Sequence, residues 1–193
     1  MPQGPMALLK RIPVYGILLA VLAACSIAPS PAERTSPKPA APDKIAKRPP
    51  IAIPTVVAPN KSIAAAIVTV NRLRARQGRR PVRYHGQLNK AAYGHAKAMA
   101  VQDFFSHTGP KGSTMGRRVT QTGYIWGLVA ENISAGQKTP FETVETWMDS
   151  PGHRRNILMK GVVHIGFAHF KRDPDPGDVI FKDYWVMVLA APQ

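Results

Sequence analysis

The chain has one cysteine, Cys25, among 193 residues, so it can form no internal disulfide and must draw its stability from an ordinary apolar core. Acids are scarce as well: 11 against 26 lysines and arginines, for a formal charge of +15. A cation of that size is drawn to phosphate-rich surfaces, which include nucleic acid, anionic lipid and cell-wall polymer. The basic residues lack interleaved aromatics, which argues against a nucleic-acid binder. The N-terminal apolar run, Ile12 to Ala24, is interrupted by Pro13 and Gly16 and falls well short of the ~20 residues a spanning helix needs. No internal repeat is present, and no His-Glu-x-x-His pair fixes two metal ligands on one helical face.

What the N-terminus does hold is a sorting signal. Lys10-Arg11, the short apolar run and Leu22-Ala23-Ala24-Cys25 follow the order of charged region, apolar region and small residues before a cut site. Leu-Ala-Ala-Cys resembles the lipobox of bacterial lipoproteins. That resemblance implies a signal peptide over residues 1–24 and a lipidated Cys25 as the first mature residue. It also implies a membrane-anchored protein of the bacterial cell envelope, facing the periplasm or the exterior. Residues 25–60 are rich in proline, alanine and lysine and too poor in apolar residues to bury a face. They read as an extended tether.

Residues 61–193 carry the periodic patterns of a domain. Ser62 is expected to cap a helix through about Gln77, with Ile63, Ala66, Ile67, Val70 and Leu73 at helical spacing and Gly78 as its stop. Arg72, Arg74, Arg76, Arg79, Arg80 and Arg83 read as a solvated basic end. A second helix, Gln87 to Gln102, has His95 on its apolar stripe, where a hydrogen-bonded core histidine is expected. A short helix over Ser113 to Gln121 ends before Gly123. Leu128 to Ser134 reads as a strand that puts Val129, Glu131 and Ile133 on one face. Thr139-Pro140-Phe141-Glu142 fits a capping box for a helix turning Phe141, Val144, Trp147 and Met148 inward. Ser150-Pro151 starts another helix to about Leu158. Val162 to Phe170 and Tyr184 to Ala190 are strands joined by a polar, turn-rich loop. His164 and His169 must face opposite sides of theirs.

Three side chains stand out for chemistry. Glu131 sits between two apolar neighbours on a buried face, where an unpaired charge is too costly, so it must have a partner. His107 follows a helix, and His153 lies in the first turn of another, whose positive end favours neutral imidazole. Two imidazoles and a carboxylate suit a catalytic-type zinc or other divalent-cation site, with His107 and His153 as metal ligands. They equally suit a hydrogen-bonded cluster that pins three elements, and the spacing leaves both open. Ser106, beside His107 on an irregular segment, is poorly placed to act as its nucleophile.

Phe105-Ser106-His107, Ala130-Glu131-Asn132-Ile133, Trp147 and Gly152-His153-Arg154-x-Asn156-Ile157-Leu158 resemble the bacterial branch of the CAP superfamily, the SCP-like extracellular domain, over about Ile63 to Ala190. The resemblance implies an α+β fold: a three-layer α-β-α sandwich with a small antiparallel sheet between helices. It also implies a cavity with His107, Glu131 and His153 as its residues. Trp147 is followed by Ser150 where the eukaryotic pattern has a second acid, and the neighbouring Asp149 would point about 100° away. Two functions are consistent with this likeness. One is a non-catalytic binding module for a lipid-like or cell-wall-derived ligand. The other is a metal-assisted hydrolase, a peptidase for instance, in which His107, Glu131 and His153 are catalytic.

Overall fold

In the last strand every residue from Asp183 to Ala190 is buried, and a strand covered on both faces needs a layer of structure on each side. Its side chains alternate between two cores, as the period of a strand requires. Trp185, Met187 and Leu189 join Ile63, Ile67, Val144, Trp147 and Ile157. Val186, Val188 and Ala190 join Leu88, Ala92, Met99 and Val119. The result is the expected α-β-α sandwich.

The computed structural model describes residues 51–55, 58 and 60–193. The signal peptide, Cys25 and most of the tether lie outside the described residues. In chain order the domain holds α1 (Lys61–Arg76), β1 (Arg83–Tyr84), α2 (Gly86–Val101), a 3-10 turn (Pro110–Gly112) and α3 (Met115–Gln121). There follow β2 (Trp126–Ala135), α4 (Pro140–Asp149), α5 (Pro151–Ile157), β3 (His164–Lys171) and β4 (Asp183–Pro192). The sheet order is β1-β3-β4-β2. β4 pairs antiparallel with β2 and with β3, placing Val188 opposite both Glu131 and Gly166. The sheet is not wholly antiparallel as expected: β1 adds to β3 in parallel, Arg83 opposite His164. The two-residue β1 lies at the edge of the sheet, beyond β3.

Local chemistry sets the helix ends. Asn60, and not Ser62, caps α1, its side chain accepting from the Ser62 and Ile63 amides at 2.8 and 3.2 Å. Thr139 caps α4 through the Glu142 amide at 3.2 Å, while the Glu142 carboxylate accepts from the Lys138 amide at 2.9 Å, close to the capping box predicted. Ser150 precedes α5 without a side-chain cap bond, although Pro151 follows it as Pro140 follows the capping Thr139 of α4. Phe141 is exposed, contrary to its predicted inward turn; Val144 and Trp147 are buried on the inner face of α4 with Thr143 and Pro140, and the partly buried Met148 packs against the same core.

The basic end of α1 is not wholly solvated. Arg74 is 1% exposed and donates to the carbonyls of Arg80, Ile157 and Met159 at 2.9, 2.6 and 3.1 Å. Burial, and secondarily the charge of Arg79, push its pKa down to about 10, so it stays charged at neutral pH. Asn71 closes the same corner: its amide donates to the Val82 carbonyl at 3.0 Å and its oxygen accepts from the Val82 amide at 2.8 Å. Across the sheet, α2 lies on β3 at Gly166, where a Cβ would fall 2.3 Å from backbone atoms of Leu88 and Asn89. The alanines of α2 and that glycine are what permit so close an approach.

Candidate functional site

β2 carries Glu131 into the interior, where it is 5% exposed. A carboxylate there needs opposing charge, and the structure supplies it from α3. Arg118 Nη2 donates to Glu131 Oε1 and Oε2 at 3.1 and 2.8 Å. The same guanidinium donates to the carbonyls of Ser113 and His107 at 2.6 and 3.0 Å, which fixes the loop carrying His107. His107 in turn donates from Nδ1 to Glu131 Oε1 at 2.9 Å. Burial alone would raise the Glu131 pKa, but the His107 hydrogen bond, the Arg118 charge and the nearby His95 together hold it below the ordinary carboxylate value. Glu131 is therefore ionised, and Nδ1 of His107 carries the proton. Nε2 of His107 is left free on a ring whose side chain is 55% exposed.

His95, on α2, is the core histidine expected: 1% exposed, with Nε2 donating to the Ser106 carbonyl at 3.0 Å. Burial pushes its pKa down to about 4, against an upward pull from Glu131. It stands 3.9 Å from the Glu131 carboxylate, so at neutral pH it packs there as a neutral ring.

His153 sits in the first turn of α5. Its ring is half-buried, Nδ1 has no hydrogen-bond partner in the protein, and its pKa is lowered by burial and then by the charge of His107. α5 is clamped to β2 by two asparagines. Asn156 donates to the Glu131 carbonyl and to the Asn132 side chain at 3.1 and 2.9 Å, and Asn132 donates to the His153 carbonyl at 3.1 Å. The structure thus joins His107 and Glu131 directly and brings His153 within electrostatic reach of His107. Asp149 is exposed on α4, away from the buried face.

Beside this group lies a cleft of about 420 Å³. His107, Glu131 and Asn156 supply its polar end, and Met115, Val129, Ala130 and Met159 its apolar walls. A second cavity, of about 340 Å³, has Lys90, His95, Ser113 and Arg118 in its lining, so Glu131 and Arg118 face different hollows.

Sequence reasoning demanded a partner for Glu131 and did not find Arg118. Arginine is well suited to a buried ion pair, but nothing local to α3 marks this one, and its role emerges only when the fold buries it beside Glu131. The asparagines of Ala130-Glu131-Asn132-Ile133 and of the His153 segment were visible as motif members without a role. Their role is the clamp.

Arg118 also bears on a divalent cation. With a guanidinium fixed on both oxygens, Glu131 fits poorly as a metal ligand, and among the described residues no three His, Cys, Asp or Glu side chains converge as a ligand set. His107 Nε2 and His153 are the donors that remain.

Comparison with known proteins agrees with this architecture. Uncharacterized protein YkwD of Bacillus subtilis is 32% identical over 146 residues, covering 72% of this chain and 57% of that protein. Uncharacterized membrane protein YlbC of the same organism is 26% identical over 96 residues, half of this chain and 28% of that one. The chain thus spans less than two thirds of the length of either relative. Among solved structures, an outer surface protein from Borrelia burgdorferi superposes with a TM-score of 0.62 at 18% identity, over 71% of this chain and 97% of that one. An extracellular SCP-domain protein from Bacillus anthracis superposes with a TM-score of 0.56 at 23% identity, over 69% and 44%. The model of the Cysteine-rich secretory protein family matches residues 68–189, and with the sandwich, the Glu131 site and its motifs in place, this one-cysteine chain belongs to that CAP family.

Proposed function

We propose that this protein is a CAP-domain binding module of the bacterial cell envelope. Its occupant is a lipid-like or cell-wall-derived molecule held in the cleft beside Glu131, and its anchor is an acylated Cys25. The observation that carries the reading is the saturation of Glu131. Its carboxylate accepts from Arg118 and from His107, so it serves as a fixed, charged post rather than a base waiting for a proton. The cleft joins that polar end to apolar walls, which suits a ligand with a polar head and an apolar body. The compartment is supported by the lipobox-like Leu22-Ala23-Ala24-Cys25 and by two structural relatives described as an outer surface and an extracellular protein.

A second reading rests on the His107–Glu131 pair. A carboxylate that orients an imidazole and leaves Nε2 free is the arrangement of a general base, which favours a hydrolase in which His107 takes a proton from water. Zinc or another divalent cation, if it takes part, has His107 and His153 to bind it, since Arg118 already occupies both oxygens of Glu131.

Mass spectrometry of small molecules that copurify with the full chain tests the first reading. A lipid or wall fragment retained by the wild type and absent from Met159→Glu supports it. Saturable zinc binding lost in both His107→Ala and His153→Ala, with turnover of a peptide or ester and no retained ligand, overturns it in favour of the hydrolase.

A further inference from the structure

The domain's charges are segregated by end. No acid occurs between Lys61 and Gln102 or between Ser150 and Arg172. The last turns of α1, the 77–85 loop, the end of α5 and the start of β3 are drawn from those two stretches, and they meet. Arg74, Arg79, Arg80 and Lys160 line one hollow. Arg80, Arg83 and His164 line a second, of about 580 Å³, and the two share Arg80 and Val163. Among the described residues, no ion pair engages Arg79, Arg80, Arg83 or Lys160.

This cation cluster is rigid. Arg74 and Asn71 hold the 80–82 backbone through their hydrogen bonds to Arg80 and Val82, and Arg79 donates from Nε to the Leu158 carbonyl at 3.0 Å. Arg83 is fixed in β1 opposite His164, its amide donating to the Val163 carbonyl at 2.9 Å. Exposed Arg80, Arg83 and Lys160 thus stand on backbone that ligand binding need not order, around Val163, which is 39% exposed. Like charges held together repel one another, and a polyanion relieves that repulsion.

We propose that this end of the domain docks on an anionic phospholipid surface. Charge complementarity selects the chemistry, and the entry of the chain selects the source. Ala52 and Pro54 line the hollow of Arg80 and Arg83, so the segment linking the domain to the N-terminal region arrives on the basic face. Lys44, Lys47 and Arg48 lie just upstream. A domain tethered from that side presents its cations to the surface that holds the tether, and exposed Val163 meets the headgroup–acyl boundary. The inference rests on the proposed anchor at Cys25 for its choice of surface, and needs no occupant beside Glu131.

The test footprints the full chain with phenylglyoxal on phosphatidylcholine vesicles with and without phosphatidylglycerol. Modification of Arg80 and Arg83 slows only where phosphatidylglycerol is present, modification of exposed Arg117 does not, and high salt abolishes the difference. Arg80→Gln with Arg83→Gln, confirmed as folded by its unchanged melting temperature, lowers the ratio of binding to the two vesicle types roughly tenfold or more. That ratio cancels any contribution from the apolar N-terminal run. Equal footprints on both vesicles overturn the proposal. So does protection by soluble poly(glycerol phosphate) with none from phosphatidylglycerol, which would make the partner a wall polymer.

Discussion

Arg118 and Glu131 form a two-oxygen ion pair, at 2.8 and 3.1 Å, between the short helix α3 and the interior strand β2. Both side chains are nearly buried, at 9% and 2% exposure. Removing one partner from such a pair leaves the other charged and unsolvated. Arg118→Met is therefore expected to cost about 3–5 kcal/mol of stability, read from urea unfolding. Glu131→Gln should also lower the melting temperature. The double variant should recover a large part of the loss, because neither charge is then stranded. An additive double variant would mean that the two do not act as a pair.

His107→Ala separates folding from binding at the same site. The ring is more than half exposed, so its hydrogen bond to Glu131 should contribute less than ~1 kcal/mol. The melting temperature should barely move. Retention of the cleft ligand should fall, since His107 forms part of the cleft's polar end. A variant that unfolds but keeps its ligand would contradict both halves of this expectation.

The sequence displayed the sandwich well and the site unevenly, for a physical reason. Helices and strands are written in local periodicity, and β4 and α2 stood out because their apolar residues repeat at the period of their own backbone. The cap of α1 was misplaced by two residues because Asn60 and Ser62 are both good capping residues, and only backbone geometry decides between them. Glu131 was legible because a carboxylate between Val129 and Ile133 on one face of a strand is locally anomalous. Arg118 was not, since an arginine in a short helix is locally ordinary and becomes exceptional only when the fold buries it. The parallel β1 was missed for a like reason: two residues have no period.

Mild acid should weaken the domain, and the sign follows from His95. Its folded pKa, about 4, lies below the ordinary histidine value of 6.5. As pH falls the unfolded chain takes up that proton first. Stability is then full above pH ~6.5 and declines until pH ~4, by as much as roughly 3 kcal/mol from this group. Burial depresses His153, His164 and His169 in the same direction. Glu131, also depressed, adds its own loss below the ordinary carboxylate value of 4.5. Urea midpoints measured across this range should fall steadily, and His95→Gln, which keeps a donor for the Ser106 carbonyl and cannot titrate, should flatten the slope.

Asn71→Leu tests the rigidity of the basic face. Asn71 is fully buried, and its loss strands the Val82 amide and carbonyl without partners. Each stranded group costs about 1–3 kcal/mol, so a destabilisation of about 3 kcal/mol is expected. Amide exchange at Val82 should accelerate more than exchange at buried amides of β4. Uniform acceleration would show that the corner is held by general packing and not by this one side chain.

Gly166→Ala asks whether α2 can be moved off the sheet. A methyl group there would meet the backbone of Leu88 and Asn89 at 2.3 Å, and backbone cannot rotate aside as a side chain can. Either α2 shifts or β3 bends, and each disturbs the core that holds Ala92, Val186 and Val188. Overpacking of a well-filled core costs about 1–3 kcal/mol where side chains can adjust; a clash with helix backbone should fall at or beyond the upper end. His95 rides on α2, so the shift should also lengthen its contact with the Ser106 carbonyl and raise its pKa as water enters. An NMR titration of His95 in the variant, moving toward the ordinary histidine value as stability falls, would tie the helix–sheet spacing to the site. An unshifted titration with intact stability would show that the sheet absorbs the methyl group without moving the helix.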